Sequence, residues 1–550
     1  MDTYRALLAI ILSMFILLGW QYFFTPPQPP APAEQQQSQQ AAAPAVQSEP
    51  APTAAAKSAP PVVAVDPKAR DIVVETPLYK AVFFEQGGGL KSFKLKKYRT
   101  AQKEAAPLME LVTVSNPAEL PMTFTLDGGA AAVLPPFIAE KTVVSLREGD
   151  KDKSLIMRAD MGDGITIERK LTFHADNYLI GSVCTVSNSG PAAVQMTPAL
   201  SMSNGPFQGG SGSGRLFSGP AVYMNRQLHE IKLKDLSNGP LVFQGEVSWA
   251  ADMDSYFMLT LLPEKSSQRT VTISQVGAEH IRTVLAENKT ELAAGTTKVL
   301  EHEGYFGPKK LSYLKEVGYD LAETINFGWF DLLAKPMLLL LNFFHRIFGN
   351  YGIAIILVTC LVKGAFWPIT HKGMKSMRNM QKIQPKMAKI REKHKDDPAR
   401  MNQEMMALYK TYKVNPLGGC LPMLIQIPFF FALYRVLMAA IELRHAPFML
   451  WINDLSAPDR LMIGVDIPYL HGIPVLTLLM GITMFFQQKM TPTTADPQQA
   501  KIMQFMPVIF TVMFINFASG LVLYWFVSNL LSILQQQLIN RQTAPAASPN

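Results

Sequence analysis

Cysteine is scarce: there are three in 550 residues, Cys184, Cys360 and Cys420, which excludes a disulfide-stapled scaffold. Charge is thin too. Charged residues make up 17% of the chain, against roughly 25% in an ordinary soluble domain. Hydrophobic residues make up 48% and aromatics 10%, so disorder over the whole length is excluded. The glycine-rich run Gly209-Gly210-Ser211-Gly212-Ser213-Gly214-Arg215 lacks the Gly-Lys-Ser/Thr of a P-loop and reads as a flexible loop. There is no His-Glu-x-x-His, and no two histidines fall at zinc-site spacing. No metal, nucleotide or other cofactor is therefore expected. The C-terminal apolar blocks offer Ser519, Ser528 and Ser532 but no histidine, which argues against an intramembrane protease. No constellation for covalent catalysis emerges, and an enzyme is not expected.

What the chain does have is long apolar blocks. Residues 6–24 carry no charge and are long enough to cross a hydrocarbon core of ~30 Å. No A-x-A site follows, and Trp20, Tyr22 and Phe23 form an aromatic belt. Residues 1–24 are thus expected to be an uncleaved anchor rather than a cleaved signal. Residues 25–65, rich in Pro, Ala and Gln, read as an extended tether. Residues 66–325 alternate short β-rich runs with turn signals and suggest an all-β sandwich. Examples are residues 79–84 before Gly87-Gly88-Gly89 and residues 165–173 after Gly162-Asp163-Gly164. In residues 326–350, Asp331, Lys335, Asn342 and Arg346 share one helical face, as in a helix lying in the membrane interface; the alternative for this segment is a further span. Five further spans are expected at 351–370, 417–441, 467–486, 502–517 and 521–534. With the anchor they make six.

The loops set the orientation. Residues 371–413 hold twelve basic side chains against four acidic ones. The segment 442–466 holds Glu442, Asp454, Asp459 and Asp466 against Arg444 and Arg460. By the positive-inside rule the basic loop is cytoplasmic and the acidic one external. Both termini, including the short tail 541–550, are then cytoplasmic. Residues 25–350 lie outside, in the periplasm of a bacterium with two membranes.

The most informative residue is Lys363, twelve residues into the second span. A charge at mid-bilayer costs ~2.5–3.5 kcal/mol on insertion scales. Either its ammonium snorkels to the inner headgroups or it faces a wet cavity between spans. Polar walls for such a cavity are available at Thr359, Gln426, Tyr524, Ser528 and Asn529, although each alone also suits an interhelical hydrogen bond. The basic loop 371–416 reads as a helical hairpin. Met377, Met380, Ile383, Met387 and Ile390 form one apolar stripe, and Met401, Met405, Leu408 and Tyr412 a second. Lys375, Arg378, Lys382, Lys386, Lys389, Arg391 and Lys393 form its basic exterior. That exterior suits anionic lipid, ribosomal RNA or nascent chains.

Several runs resemble the Oxa/Alb/YidC family of membrane protein insertases. They are Gln403 to Lys410, Asn415-Pro416-Leu417-Gly418-Gly419-Cys420-Leu421-Pro422, Ala446-Pro447-Phe448, Phe505-Met506-Pro507 and Ser519-Gly520-Leu521-Val522-Leu523-Tyr524. The resemblance is dense over about residues 325–540 and looser over the anchor, tether and β domain, which match the Gram-negative architecture. It implies a five-helix insertase core (351–540) around a hydrophilic groove that is open to the cytoplasm and to lipid and closed outward. It also implies insertase and chaperone activity without ATP hydrolysis. The implied partners are nascent membrane proteins, the Sec translocon (SecYEG and SecDF), the ribosome and anionic lipids, with no DNA. Lys363 stands where the family usually carries Arg, so the charge is kept but the planar fork is not. Thr359 and Tyr524 match groove positions that meet substrate in the family, and Trp525 stands where a second aromatic is common. A small-molecule transporter or channel is the alternative, and it predicts a polar path through the whole membrane.

Overall fold

The structure, a computed structural model, describes residues 63–102, 105–207, 217–265, 267–277, 280–395, 397–412, 421–464, 470–490 and 497–542. The expected anchor, the tether up to residue 62, the glycine-rich loop, the Asn415-to-Cys420 motif and the tail beyond residue 542 lie outside them.

Strands fill the chain from Asp71–Glu75 to Thr297–Pro308. Alternation is clean where one face is buried: along Ile165–Phe173 every odd residue is buried and the others are not, the period-two signature of a half-buried strand. The Gly162-Asp163-Gly164 turn has φ of 81°, 51° and 78°, a left-handed run that glycine tolerates without strain. It joins Lys153–Gly162 to Ile165–Phe173 as a hairpin. A five-stranded sheet packs on a thirteen-stranded one. Between them Phe83 meets Phe173 at 5.8 Å and Phe93 meets Phe306 at 5.6 Å. Fully buried Arg169 also ties the layers: it donates to Ser182 Oγ (3.0 Å) within its own sheet and to the Gly88 carbonyl (2.9 Å) of the other. This is the expected layered β domain.

The rest is helical: α1 (Leu311–Val317), α2 (Asp331–Phe348), α3 (Tyr351–Lys393), α4 (Pro398–Thr411), α5 (Leu421–Ala439), α6 (Val475–Met490), α7 (Pro497–Phe514) and α8 (Ser519–Gln542). Three elements depart from the sequence reading. First, α3 runs unbroken from the expected span at 351–370 through the stripe of Met377 to Ile390 and ends at Lys393, so span and hairpin arm are one helix. Second, α6 starts eight residues later than the expected span at 467. Gly472 has φ 151°, Ile473 bridges to Leu461, and Pro474 then opens the helix, so the apolar run crosses a bend first. Third, α8 runs past 534 to Gln542, because its last turns are polar but still helical. Among the described residues, one helical stretch has the length and composition to cross a membrane, Tyr351–Met380, whose most apolar 18 residues have mean hydropathy 1.9.

Helix α2 buries Ala334, Met337, Leu338 and Leu341. Its opposite side exposes Leu332, Leu339, Phe343 and Ile347. Its polar strip is engaged: Lys335 pairs with Asp331 at 2.8 Å, and Asn342 Oδ1 accepts from the Tyr351 hydroxyl at 3.0 Å. Exposed apolar residues continue on α6 (Leu478, Ile482, Phe485, Phe486) and α7 (Phe505, Val508, Ile509, Val512). In water, so large an apolar surface would drive aggregation. The β domain meets the helices where the Arg444 guanidinium lies over the rings of Phe257 (5.3 Å) and Tyr256 (5.9 Å).

Candidate functional site

Lys363 points inward. Its Nζ donates to Ser532 Oγ at 2.8 Å and to Gln426 Oε1 at 3.1 Å, so one ammonium links α3, α5 and α8. Gln426 is held in turn, because its Nε2 donates to Ser528 Oγ at 3.0 Å. The Ser532 hydroxyl donates to the Ser528 carbonyl at 2.9 Å, which leaves its lone pairs for the lysine. A charged donor with two fixed acceptors is the arrangement that offsets the loss of water.

Thr359, Val362, Lys363, Phe366, Thr370, Gln426 and Tyr524 line a small cavity of about 10 Å³, room for about one water. Helical spacing explains the lining. Thr359, Lys363, Phe366 and Thr370 recur every three or four residues along α3 and so share one face. Ser528, Ser532 and Gln535 do the same on α8, all buried. Toward the N-terminal ends of these helices the packing turns apolar. Ala354, Ile355 and Val358 of α3 meet Leu433, Val436 and Leu437 of α5 and Leu521 and Val522 of α8 within one buried cluster. A structured loop covers that end. Ser519 Oγ donates to the Asp454 carbonyl at 2.7 Å, Trp451 Nε1 donates to Asp459 Oδ1 at 2.6 Å, and Arg460 donates to the Ile515 carbonyl at 2.8 Å. Buried Asp459 also accepts from the Thr477 amide at 3.1 Å, at the positive end of α6.

Of the seven residues expected in the groove, five gather here: Lys363, Gln426, Thr359, Tyr524 and, through Gln426, Ser528. Asn529 instead faces α6, where its Nδ2 donates to Thr483 Oγ1 at 3.4 Å. Trp525 is absent from the cavity wall. Its ring packs against Phe430 at 4.8 Å, Phe514 at 4.9 Å and Phe510 at 5.8 Å, so it belongs to an aromatic cluster between α5, α7 and α8. The sequence reading missed Thr370 in the lining, and Ser532 and Gln535, which bond to the lining residues Lys363 and Thr370. Their spacing on the faces that carry Ser528 and Lys363 was the available signal.

On the basic segment, Met380, Ile383 and Met387 of α3 are buried against Met405, Leu408 and Tyr409 of α4. Outside that seam Lys375, Lys382, Lys386, Lys389, Arg391 and Lys393 are exposed. Arg378 differs. Its guanidinium donates to the carbonyls of Ile539 and Asn540, both at 3.0 Å, where the C-terminal turn of α8 has unpaired acceptors. Lys386 lies over the Tyr412 ring at 4.6 Å.

Comparison with known proteins places this arrangement. Residues 71–340 match the YidC periplasmic domain model, and residues 343–546 match the 60Kd inner membrane protein model. The membrane protein insertase YidC of Syntrophobacter fumaroxidans is 41% identical, with 98% of this chain and 99% of that protein covered. The same-named proteins of Pelobacter propionicus and Maridesulfovibrio salexigens are 40% and 42% identical, again over 98% of this chain and 99% of each relative. The chain belongs to the YidC family of membrane protein insertases. A solved YidC insertase with its first transmembrane domain resolved is similar at 18% identity and TM-score 0.36, over 89% of this chain and 95% of that one. YidC proteins are inner-membrane insertases with a periplasmic domain, and the two matched regions divide this chain accordingly, with their boundary inside α2.

Proposed function

We propose that this chain inserts segments of nascent membrane proteins through a half-channel centred on Lys363, without nucleotide hydrolysis. The observation that carries the reading is the inward ammonium, held by Gln426 and Ser532 on the polar side of a dry apolar layer. In this reading the chain spans the membrane six times with both termini in the cytoplasm, and residues 25–350 are periplasmic. The loop tied down by Asp454, Asp459 and Arg460 seals the outer end, and the polar faces of α3 and α8 open toward the cytoplasm and lipid.

The energetics are simple. A polar tail crossing intact hydrocarbon loses hydration from its backbone and charges. A polar recess reaching partway shortens the dry distance, and a fixed cation at its end favours an acidic tail. The cargo's apolar span gains roughly 0.3–0.6 kcal/mol per Leu, Ile, Phe or Val on insertion. About twenty such residues outweigh a short tail with few charges. The basic face of α3 meets anionic lipid, worth ~1 kcal/mol per charge, and also the ribosome and emerging chains. A small-molecule channel would need a polar path through the layer at Ile355, Val358, Leu433 and Leu521, and those residues are packed and apolar.

The test is reconstitution. The purified full chain in anionic liposomes, without nucleotide, should make the short acidic tail of a single-span substrate protease-protected. A strict ATP requirement, or solute flux without insertion, would overturn the reading.

A further inference from the structure

A second contact between α3 and α8 lies beyond the lysine. Gln535 Nε2 donates to Thr370 Oγ1 at 2.8 Å and approaches the Trp367 carbonyl at 3.3 Å, while the Thr370 hydroxyl lies 3.1 Å from the carbonyls of Phe366 and Trp367. Both side chains are buried. Thr370 is the lining residue farthest along α3 from its outer end, seven residues past Lys363, or about 10 Å of helix rise. The pair therefore stands between the ammonium and the end from which cargo arrives. A neutral amide–hydroxyl pair suits a contact that must part, because separating it exposes no charge.

The hinge for such parting lies between the two contacts. Pro368 has no N–H to offer the carbonyl of Gly364 and weakens α3 at that turn. Gly364 is exposed, with open space where a side chain would be. Bending there would carry Thr370 away from α8 and leave Lys363 on Gln426 and Ser532. The segment that moves also carries Arg378, whose two bonds to the end of α8 must part with the Thr370–Gln535 contact, and the basic seam with α4.

We propose that Thr370 and Gln535 form an inner door to the Lys363 pocket, shut in this structure, and that bending of α3 at 364–368 opens it when a polar tail enters. The proposal rests on the half-channel reading above, and both residues act as positioning residues.

The test uses the full chain with Cys184, Cys360 and Cys420 replaced by alanine and shown to insert normally. Thr370→Cys and Gln535→Cys are then bridged in liposomes with a short bis-methanethiosulfonate, each thiolate displacing methanesulfinate to leave a reducible disulfide. Bridging should cut insertion of an acidic-tailed substrate roughly tenfold, with recovery on reduction. Equal insertion in the bridged and reduced forms overturns the door. If the reduced double variant is itself inactive, a second measurement decides. In Thr370→Val, which cannot accept from Gln535, the thiol introduced by Ser528→Cys should react with a cytoplasmic thiol reagent roughly threefold faster; an unchanged rate overturns the proposal. Failure of the half-channel reading shows separately, as insertion that ignores Lys363→Ala while bridging still inhibits.

Discussion

Replacing Gln426 with leucine keeps the volume at the α5–α8 contact and removes two hydrogen bonds, one to the Lys363 ammonium (3.1 Å) and one to Ser528 (3.0 Å). In water-soluble proteins a hydrogen bond to a charged group contributes about 1.5–3 kcal/mol. Polar contacts between membrane helices average nearer 0.6 and reach about 1.7 kcal/mol. Lys363 keeps Ser532 at 2.8 Å, so the loss is partial, and the coupling between Gln426 and Lys363 should be about 0.6–2 kcal/mol. Lys363→Met alone mixes that term with relief of a buried charge, so a double-mutant cycle is required. Unfolding of Gln426→Leu, Lys363→Met, the double variant and the parent in mixed micelles supplies it. Gln426→Leu should be clearly destabilising with lysine present and markedly less so with methionine at 363. Asn529→Leu is the control and should show no coupling to 363, because Asn529 bonds to Thr483. Strict additivity for Gln426, or coupling no larger than the control's, would refute the idea that the glutamine fixes the ammonium.

Two further outcomes follow from the packing and charge. Asp252 in the β domain is pushed up to about 7 by burial, with Asp254 adding to it and a hydrogen bond from Asn204 opposing it. A folded-state value above the ordinary 3.8 means that its contribution is whole at low pH and is lost as pH rises toward 7. The wild type should therefore gain on Asp252→Asn by roughly 2.5 kcal/mol as pH falls from 7.5 to 5, read as a widening gap in Tm; a gap independent of pH would contradict the assignment. Gly352→Ala should destabilise by about 1–3 kcal/mol, because a Cβ there would run into the Phe448 ring. Phe448→Ala should relieve most of that cost in the double variant, as read from unfolding midpoints.

Much of the architecture was legible because it rests on local pattern. The alternation along Ile165–Phe173 and the flanking glycines fixed a strand and its turn. Lys363 stood out because an apolar run rarely keeps a charge without a partner. What escaped was non-local or chemically quiet. Ser532, Thr370 and Gln535 are neutral residues that any helix tolerates, and only their three-and-four spacing beside Ser528 and Lys363 marks them. Trp525 entered through family resemblance, and its aromatic bulk found better packing against Phe430 and Phe514 than in a polar recess. The late start of α6 turns on Ile473 pairing with Leu461, a contact between segments that hydropathy cannot sense. The unbroken run of α3 past residue 370 reflects a switch from an apolar surface to an amphipathic one within one helix, so the span and the stripe after it were each legible while their continuity was not.

The central claim is that a fixed positive charge in a recess closed to the outside draws in acidic tails. Insertion by the purified chain of paired substrates, identical apart from a neutral or an acidic tail, tests it directly in Lys363→Arg, Lys363→Ala and Lys363→Glu. The account expects Arg to remain active on both, Ala to lose chiefly the acidic-tailed substrate, and Glu to be the poorest on it. Equal insertion of both substrates by all three variants would contradict the account.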